Sequence, residues 1–230
     1  MSKEVLRKNT LSNDQRHTEV FKSSISPDGS IICYVLKNGY LNFYCTKSLD
    51  LVFKAKTQSK VSDIAFGQQS GLMLTSSLQN DEISVWDLKA QKSLASMNDN
   101  TLFSNSCLAI SPRERLLAVG SKSGIVNLYS FEDSIESIND NRDLNCSKSL
   151  KNLTNMSTLC CFSPKTNLFL FASHFGDNSI KLMNCSTKTV YSNFLAHETG
   201  RLTAAAFSSH GKTMCLGLKS GAIKMYSLDV

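Results

Sequence analysis

Short apolar runs recur along the chain, each closed by a polar turn. Phe21 to Ile25 alternates, and Ser26-Pro27-Asp28-Gly29 then turns the chain. Proline presets φ at the second turn position and glycine supplies the unusual backbone angles. Ile31 to Leu36 is almost continuously apolar, as expected of a strand buried on both faces. Tyr40 to Cys45 and Leu51 to Ala55 complete a set of four predicted strands. The order repeats in Val61 to Phe66, Leu72 to Ser76, Ile83 to Trp86 and Ser93 to Met97. A third set runs through Cys107 to Ile110, Leu116 to Gly120 and Ile125 to Tyr129. A fourth is Thr158 to Phe162, Leu168 to Ser173, Ile180 to Met183 and Val190 to Leu195. The fifth holds Leu202 to Phe207, Thr213 to Gly217 and Ile223 to Tyr226, with no fourth strand.

The third strand of every set has one shape: Gly39 to Tyr44, Asp81 to Asp87, Gly124 to Tyr129, Asn178 to Met183 and Gly221 to Tyr226. Taking Tyr44, Trp86, Tyr129, Met183 and Tyr226 as equivalent, the spacings are 42, 43, 54 and 43 residues. A period near 40–45 residues with a Trp-Asp signature predicts WD40 blades. The expected fold is therefore all-β, a WD40-type β-propeller of about five four-stranded blades over residues 20–230. No blade buries its own faces alone, so the repeats form one domain. Residues 1–19 read as a polar segment in which Val5 to Lys8 is a candidate closing strand for the last blade. The long third period is set by 131–147, where Glu132, Asp133, Glu136, Asp140 and Asp143 face one Arg142, and it reads as an acidic surface loop, with the fourth strand resuming at Lys148 to Leu153.

The signature is degenerate. Only Trp86-Asp87 keeps the full dipeptide, and no set opens with Gly-His. The side-chain hydrogen-bond network tied to those residues is thus expected to be missing from most blades, leaving packing to fix them.

Composition adds limits. A hydrophobic fraction of 41% suffices for such a core, and a net charge of +6 is modest for 230 residues. Of the eight cysteines none forms a Cys-x-x-Cys pair, so zinc is not expected. With no signal peptide in view, they read as reduced, buried thiols of an intracellular protein. No apolar run approaches the roughly 18 residues of a membrane span.

Catalytic patterns are lacking. His17, His174, His197 and His210 fall in predicted turns or loops, His174 as a solvated turn residue, and no phosphate loop, dinucleotide fingerprint or serine elbow occurs. A glycosidase-like propeller needs two converging carboxylates. Asp28, Asp63 and Asp81 are the acidic residues near strand ends, and each has a structural reading: a turn, a bond to a neighbouring loop, the opening of a hairpin. The expectation is a non-enzymatic binding surface without cofactor, metal or small-molecule substrate. Lys54 and Lys56 share one strand face by period two, with Lys47 and Lys60 nearby. They suit contact with RNA phosphates, or simple protection of an edge strand.

The ordered motifs resemble the U3 small nucleolar RNA-associated protein 18 family, a nucleolar WD40 group. The resembling pieces are Phe21 to Ser30, Gly39-Tyr40-Leu41, Ile83 to Leu88, Gly124 to Tyr129, Val190 to Phe194 and Gly221 to Tyr226, in order from about residue 20 to 228. The resemblance implies a scaffold of the small-subunit processome. Its partners are then other processome proteins and the preribosome containing U3 snoRNA and pre-rRNA, and its role is 18S rRNA maturation in the nucleolus. The chain departs from the family in showing neither its long charged N-terminal extension, with the helicase-recruiting motif, nor the first two of its usual seven blades. The alternative is a peptide-binding adaptor, such as a ubiquitin-ligase substrate receptor or a chromatin-associated WD40 protein, because propeller shape alone does not fix function.

Overall fold

The computed structural model describes residues 19–228 except 69–70, 78, 80, 99–103, 114, 140–143, 193 and 196–199. The candidate closing strand Val5 to Lys8 lies outside the described residues. The chain divides into two compact units, Met1–Lys60 and Val61–Val230.

The first unit is one antiparallel sheet of β1 (Val20–Ile25), β2 (Ile31–Leu36), β3 (Tyr40–Cys45) and β4 (Leu51–Lys56), in that order. Cys33, Val35, Leu41 and Phe43 are buried in it, and the Phe43 ring stacks on Phe53 with centroids 4.0 Å apart.

The second unit holds four sheets. They are β5 (Val61–Phe66) to β8, through β6 (Leu72–Ser77), β7 (Glu82–Asp87) and β8 (Lys92–Asn98); then β9 (Asn105–Ile110), β10 (Leu116–Ser121), β11 (Val126–Ser130) and β12 (Cys146–Leu150). Next come β13 (Leu159–Phe162), β14 (Leu168–Ala172), β15 (Ile180–Asn184) and β16 (Thr189–Val190). The last, β17 (Leu202–Phe207), β18 (Thr213–Leu218) and β19 (Ile223–Ser227), has three strands among the described residues. In each sheet, neighbours along the chain are neighbours in space.

One backbone position explains the recurring turn. Gly39, Asp81, Gly124, Asn178 and Gly221 stand five residues before the equivalent Tyr, Trp or Met, and all have positive φ, from 53° to 85°. Only glycine, or the short polar Asn and Asp, enters that region readily. At Gly124 a Cβ would also lie 2.6 Å from the Asn155 carbonyl oxygen.

The core follows the two-residue strand period. Leu117 and Val119 of β10 and Tyr129 of β11 pack with Leu72, Leu74, Ile83 and Val85 of the preceding sheet. Ala118, Val126 and Leu128 turn the other way, onto Phe162, Phe169, Phe171 and Met183 of the next. The alternate residues Leu168, Leu170 and Ile180 meet Leu202, Met214, Leu216 and Leu218. Three apolar layers thus bind four consecutive sheets, each fully buried aliphatic or aromatic side chain contributing about 1.5–3 kcal/mol.

Two expectations need correction. The stretch 131–147, read as a loop, contains helix α1 (Phe131–Asn139) between β11 and β12. Ser130 starts it: its Oγ accepts the Asp133 N–H at 3.3 Å, and Glu132 and Asp133 sit in the first turn, where the helix dipole favours negative charge. Phe131 and Ile135, one turn apart, join the first apolar layer. The predicted strand Val190 to Leu195 is only the two-residue β16: after the Tyr191 N–H bonds the Leu182 carbonyl at 2.9 Å, the chain turns at Ser192, Phe194 and Leu195, and Leu195 has φ +49°, which a strand cannot accommodate.

Phe169 is fully buried, with ring centroids 4.4 Å from Phe162 and 5.6 Å from Phe171. Phe169→Ala is expected to destabilise the protein by about 3–5 kcal/mol, seen as a lower urea midpoint in equilibrium unfolding.

Candidate functional site

The Trp-Asp signature is structural. Trp86 is buried and its indole Nε1–H donates to Thr75 Oγ1 at 3.1 Å across the β6–β7 pair. Asp87 Oδ1 accepts the N–H groups of Lys89 (2.8 Å) and Ala90 (2.9 Å), closing the turn into β8. The Ala90 and Lys89 amides hold the Asp87 carboxyl below its usual range.

Other sheets replace this device rather than lose it, which corrects the expectation that packing alone fixes them. Asn184 Oδ1 accepts from Ser186 (2.9 Å) and Thr187 (3.3 Å) at the same turn. Ser130 uses the position to cap α1. Cys45 takes it in the first unit, where the Ser48 amide and hydroxyl, and then the Lys47 amide, hold its thiol below the usual range. Asx-type and serine turns do the same job with different atoms.

The three carboxylates singled out in the sequence are each committed. Asp28 accepts the Ser26 hydroxyl (2.6 Å), the Ser30 hydroxyl (2.6 Å) and the Ser30 N–H (3.1 Å), which pull its carboxyl down to about 2. Asp63 is 5% exposed and joins two sheets: Oδ1 accepts the Ile64 N–H at 2.6 Å, and Oδ2 the Leu108 N–H of β9 at 3.0 Å. Asp81 Oδ1 accepts the Ser104 N–H just before β9. All three serve backbone geometry.

The lysines are arranged partly as predicted. Lys54 and Lys56 are exposed on one face of the edge strand β4, about 7 Å apart by strand rise. The Lys56 ammonium lies 5.4 Å from the Tyr40 ring centroid. Lys60 follows the strand's end, whereas Lys47 is in the turn at its opposite end, so the four do not form one cluster.

Only Cys33 and Cys107 are fully buried; the other six cysteines are half-buried and all eight are free. Burial pushes the Cys33 thiol up to about 12 and Cys185 up to about 11. Among the described residues no group of three or more His, Cys, Asp or Glu could hold a metal ion, and no helix is long and apolar enough to cross a membrane. His174, read as solvated, is half-buried: its N–H donates to Thr158 Oγ1 at 2.9 Å and its carbonyl accepts Arg201 Nε–H at 2.6 Å. His210 is in an exposed turn; His17 and His197 lie outside the described residues.

One concave feature was not anticipated. A cavity of about 220 Å³ opens where the β9–β10 turn meets the β13–β14 turn. Leu116, Phe162, Pro112 and Pro164 line it, with Arg113, Arg115 and Lys165 exposed around it. The paired Ser-Pro turns, Ser111-Pro112 and Ser163-Pro164, were the available signal, but their side-by-side placement is not written in either turn.

Consecutive antiparallel sheets of this period, stacked through alternating apolar faces, define a WD40-type β-propeller. Among solved structures, a chain from the crystal structure of the mitotic checkpoint complex matches with a TM-score of 0.73 at 17% identity, covering 93% of this chain and 62% of that one. No protein-family model matches the chain. Curated proteins similar to it include homologs of U3 small nucleolar RNA-associated protein 18, as the motif series indicates. It is 28% identical to the homolog of Mus musculus, over 89% of this chain and 37% of that protein. It is likewise 28% identical to the homolog of Drosophila melanogaster, over 89% of this chain and 40% of that protein. The chain thus spans about two fifths of the length of these curated relatives.

Two substitutions test the bonding roles. Asp63→Ala strands the buried Leu108 N–H and is expected to cost about 1–3 kcal/mol in urea unfolding, with Asp63→Asn recovering part of it. Asp28 titrates lower in the folded protein than its ordinary 3.8, so the unfolded chain binds more protons between pH 3.8 and about 2. Its stabilisation is therefore complete above that window and lost as pH falls through it. Thermal melts should show wild type ahead of Asp28→Asn at pH 6, with the gap closing toward pH 2.

Proposed function

We propose that the chain is a non-enzymatic scaffold of the small-subunit processome, acting with U3 snoRNA on pre-rRNA during 18S rRNA maturation in the nucleolus. One observation carries this reading: similarity to U3 small nucleolar RNA-associated protein 18 of mammal and insect over 89% of the chain. The propeller fold supports it physically, since each blade presents turns and strand edges to which partners can bind. The committed carboxylates Asp28, Asp63 and Asp81 agree with a scaffold rather than an acid–base catalyst.

The test is a tagged pull-down from cells, with sequencing of bound RNA and sedimentation of the complex. Recovery of U3 snoRNA in a large preribosomal particle is expected. A small particle without U3 would remove the proposal and leave a peptide-binding adaptor as the better reading. Within the particle, the exposed lysines of β4 are the chain's candidates for RNA phosphate contact. Lys54→Glu with Lys56→Glu should reduce RNA crosslinking to this chain while the particle stays assembled. Unchanged crosslinking assigns these lysines to edge protection alone.

A further inference from the structure

We infer that the cavity between the β9–β10 and β13–β14 turns is a docking site for a short acidic peptide segment, one apolar side chain flanked by aspartate or glutamate. The inference is independent of the processome reading.

The composition of the cavity selects this ligand. Pro112 and Pro164 offer no N–H, and with Leu116 and Phe162 they present apolar surface. Of the three serines at the cavity, Ser111, Ser163 and Ser186, the first two have their hydroxyls engaged within their own turns. Ser111 Oγ accepts the Arg115 and Leu116 N–H groups, each at 3.0 Å, and Ser163 Oγ accepts the Thr166 hydroxyl at 2.6 Å. The charged groups among the described lining residues are Arg113, Arg115 and Lys165, all cations and all exposed. Cations have donors and no acceptors, so the matching ligand brings anionic acceptors, and carboxylates pair with the planar guanidinium in bidentate fashion. The apolar wall requires an apolar body between those acceptors. A volume of about 220 Å³ admits one large side chain.

Arg113 and Arg115 also line a second cleft, together with Phe131, Ile135, Glu132 and Glu136 of α1, and among the described residues no ion pair forms across it. Single-stranded RNA fits less well: stacking calls for an exposed aromatic face, and Phe162 is only 8% exposed.

The experiment probes the full 230-residue chain with an array of eight-residue peptides. In these, one Leu, Phe, Met or Val is flanked by Asp or Glu. Control peptides carry Asn and Gln in place of the acids, or Gly in place of the apolar residue. Binding of the best peptide is then measured by fluorescence anisotropy, beside a labelled ten-nucleotide oligouridine. Acidic–apolar peptides should bind and both control sets should fail. Arg113→Glu with Arg115→Glu should weaken binding at least tenfold, and so should Lys165→Glu alone, should the arginine pair disturb folding. Lys54→Glu with Lys56→Glu, which changes the charge by the same amount on β4, should leave binding unaltered. The inference is overturned if no acidic–apolar peptide binds, or if the β4 variant loses binding equally. It also falls if oligouridine binds more tightly and depends on the same arginines, which would make the cavity a phosphate site.

Discussion

A four-stranded sheet of this kind has two apolar faces and can cover neither. Leu117 and Ala118 are adjacent in β10 and fully buried, yet they belong to different apolar layers, one shared with the preceding sheet and one with the next. The same division separates Phe169 from Leu168 in β14. Every sheet inside the stack is therefore stabilised by surface that its neighbours supply, and none is an independent folding unit. The constraint acts on the central strands, which must be apolar on both sides. It leaves the outer strands and turns free to vary, and that is where Lys54, Lys56 and Arg113 stand.

Polar links lock the register that packing leaves adjustable. Apolar layers tolerate sliding, whereas a buried hydrogen bond holds at one separation. Asp63 fixes β5 to β9 through the Leu108 N–H, and Asp81 reaches the Ser104 N–H just ahead of the same strand. In three of the sheets the residue following the Trp, Met or Tyr position supplies an acceptor for backbone N–H groups: Asp87, Asn184 and Ser130. Degeneracy of the Trp-Asp motif is thus substitution among acceptors, with the geometry kept.

The sequence made the strands legible because the period-two pattern and the positive-φ residues agree in every repeat. Gly39, Gly124 and Gly221 announce the turn, and Asp81 and Asn178 are the two other residues that tolerate it. Helix α1 escaped for a physical reason: its acidic density looks like a solvated loop, and its apolar spacing, Phe131 to Ile135, is one helical turn and easily lost among charges. The signal was the cap, Ser130 followed by acids in the first turn. At the other extreme, β16 stops at Val190 and the chain turns from Ser192 to a left-handed backbone at Leu195, which nothing about leucine foretells.

The cavity was illegible for a different reason. Lys165 stands 50 residues after Arg115, and each belongs to an ordinary polar turn. Their meeting depends on the stacking distance between adjacent sheets, which the apolar layer containing Ala109, Ala118, Phe162 and Phe169 sets. Stacking brings equivalent turns together whatever residues they hold. Because each turn is held by its own serine or Asx acceptor, its remaining positions are released from structural work. A repeat protein can therefore assemble a charged, apolar-walled site from positions that no single repeat marks as special, and the informative comparison is between equivalent turns of neighbouring blades rather than along the chain.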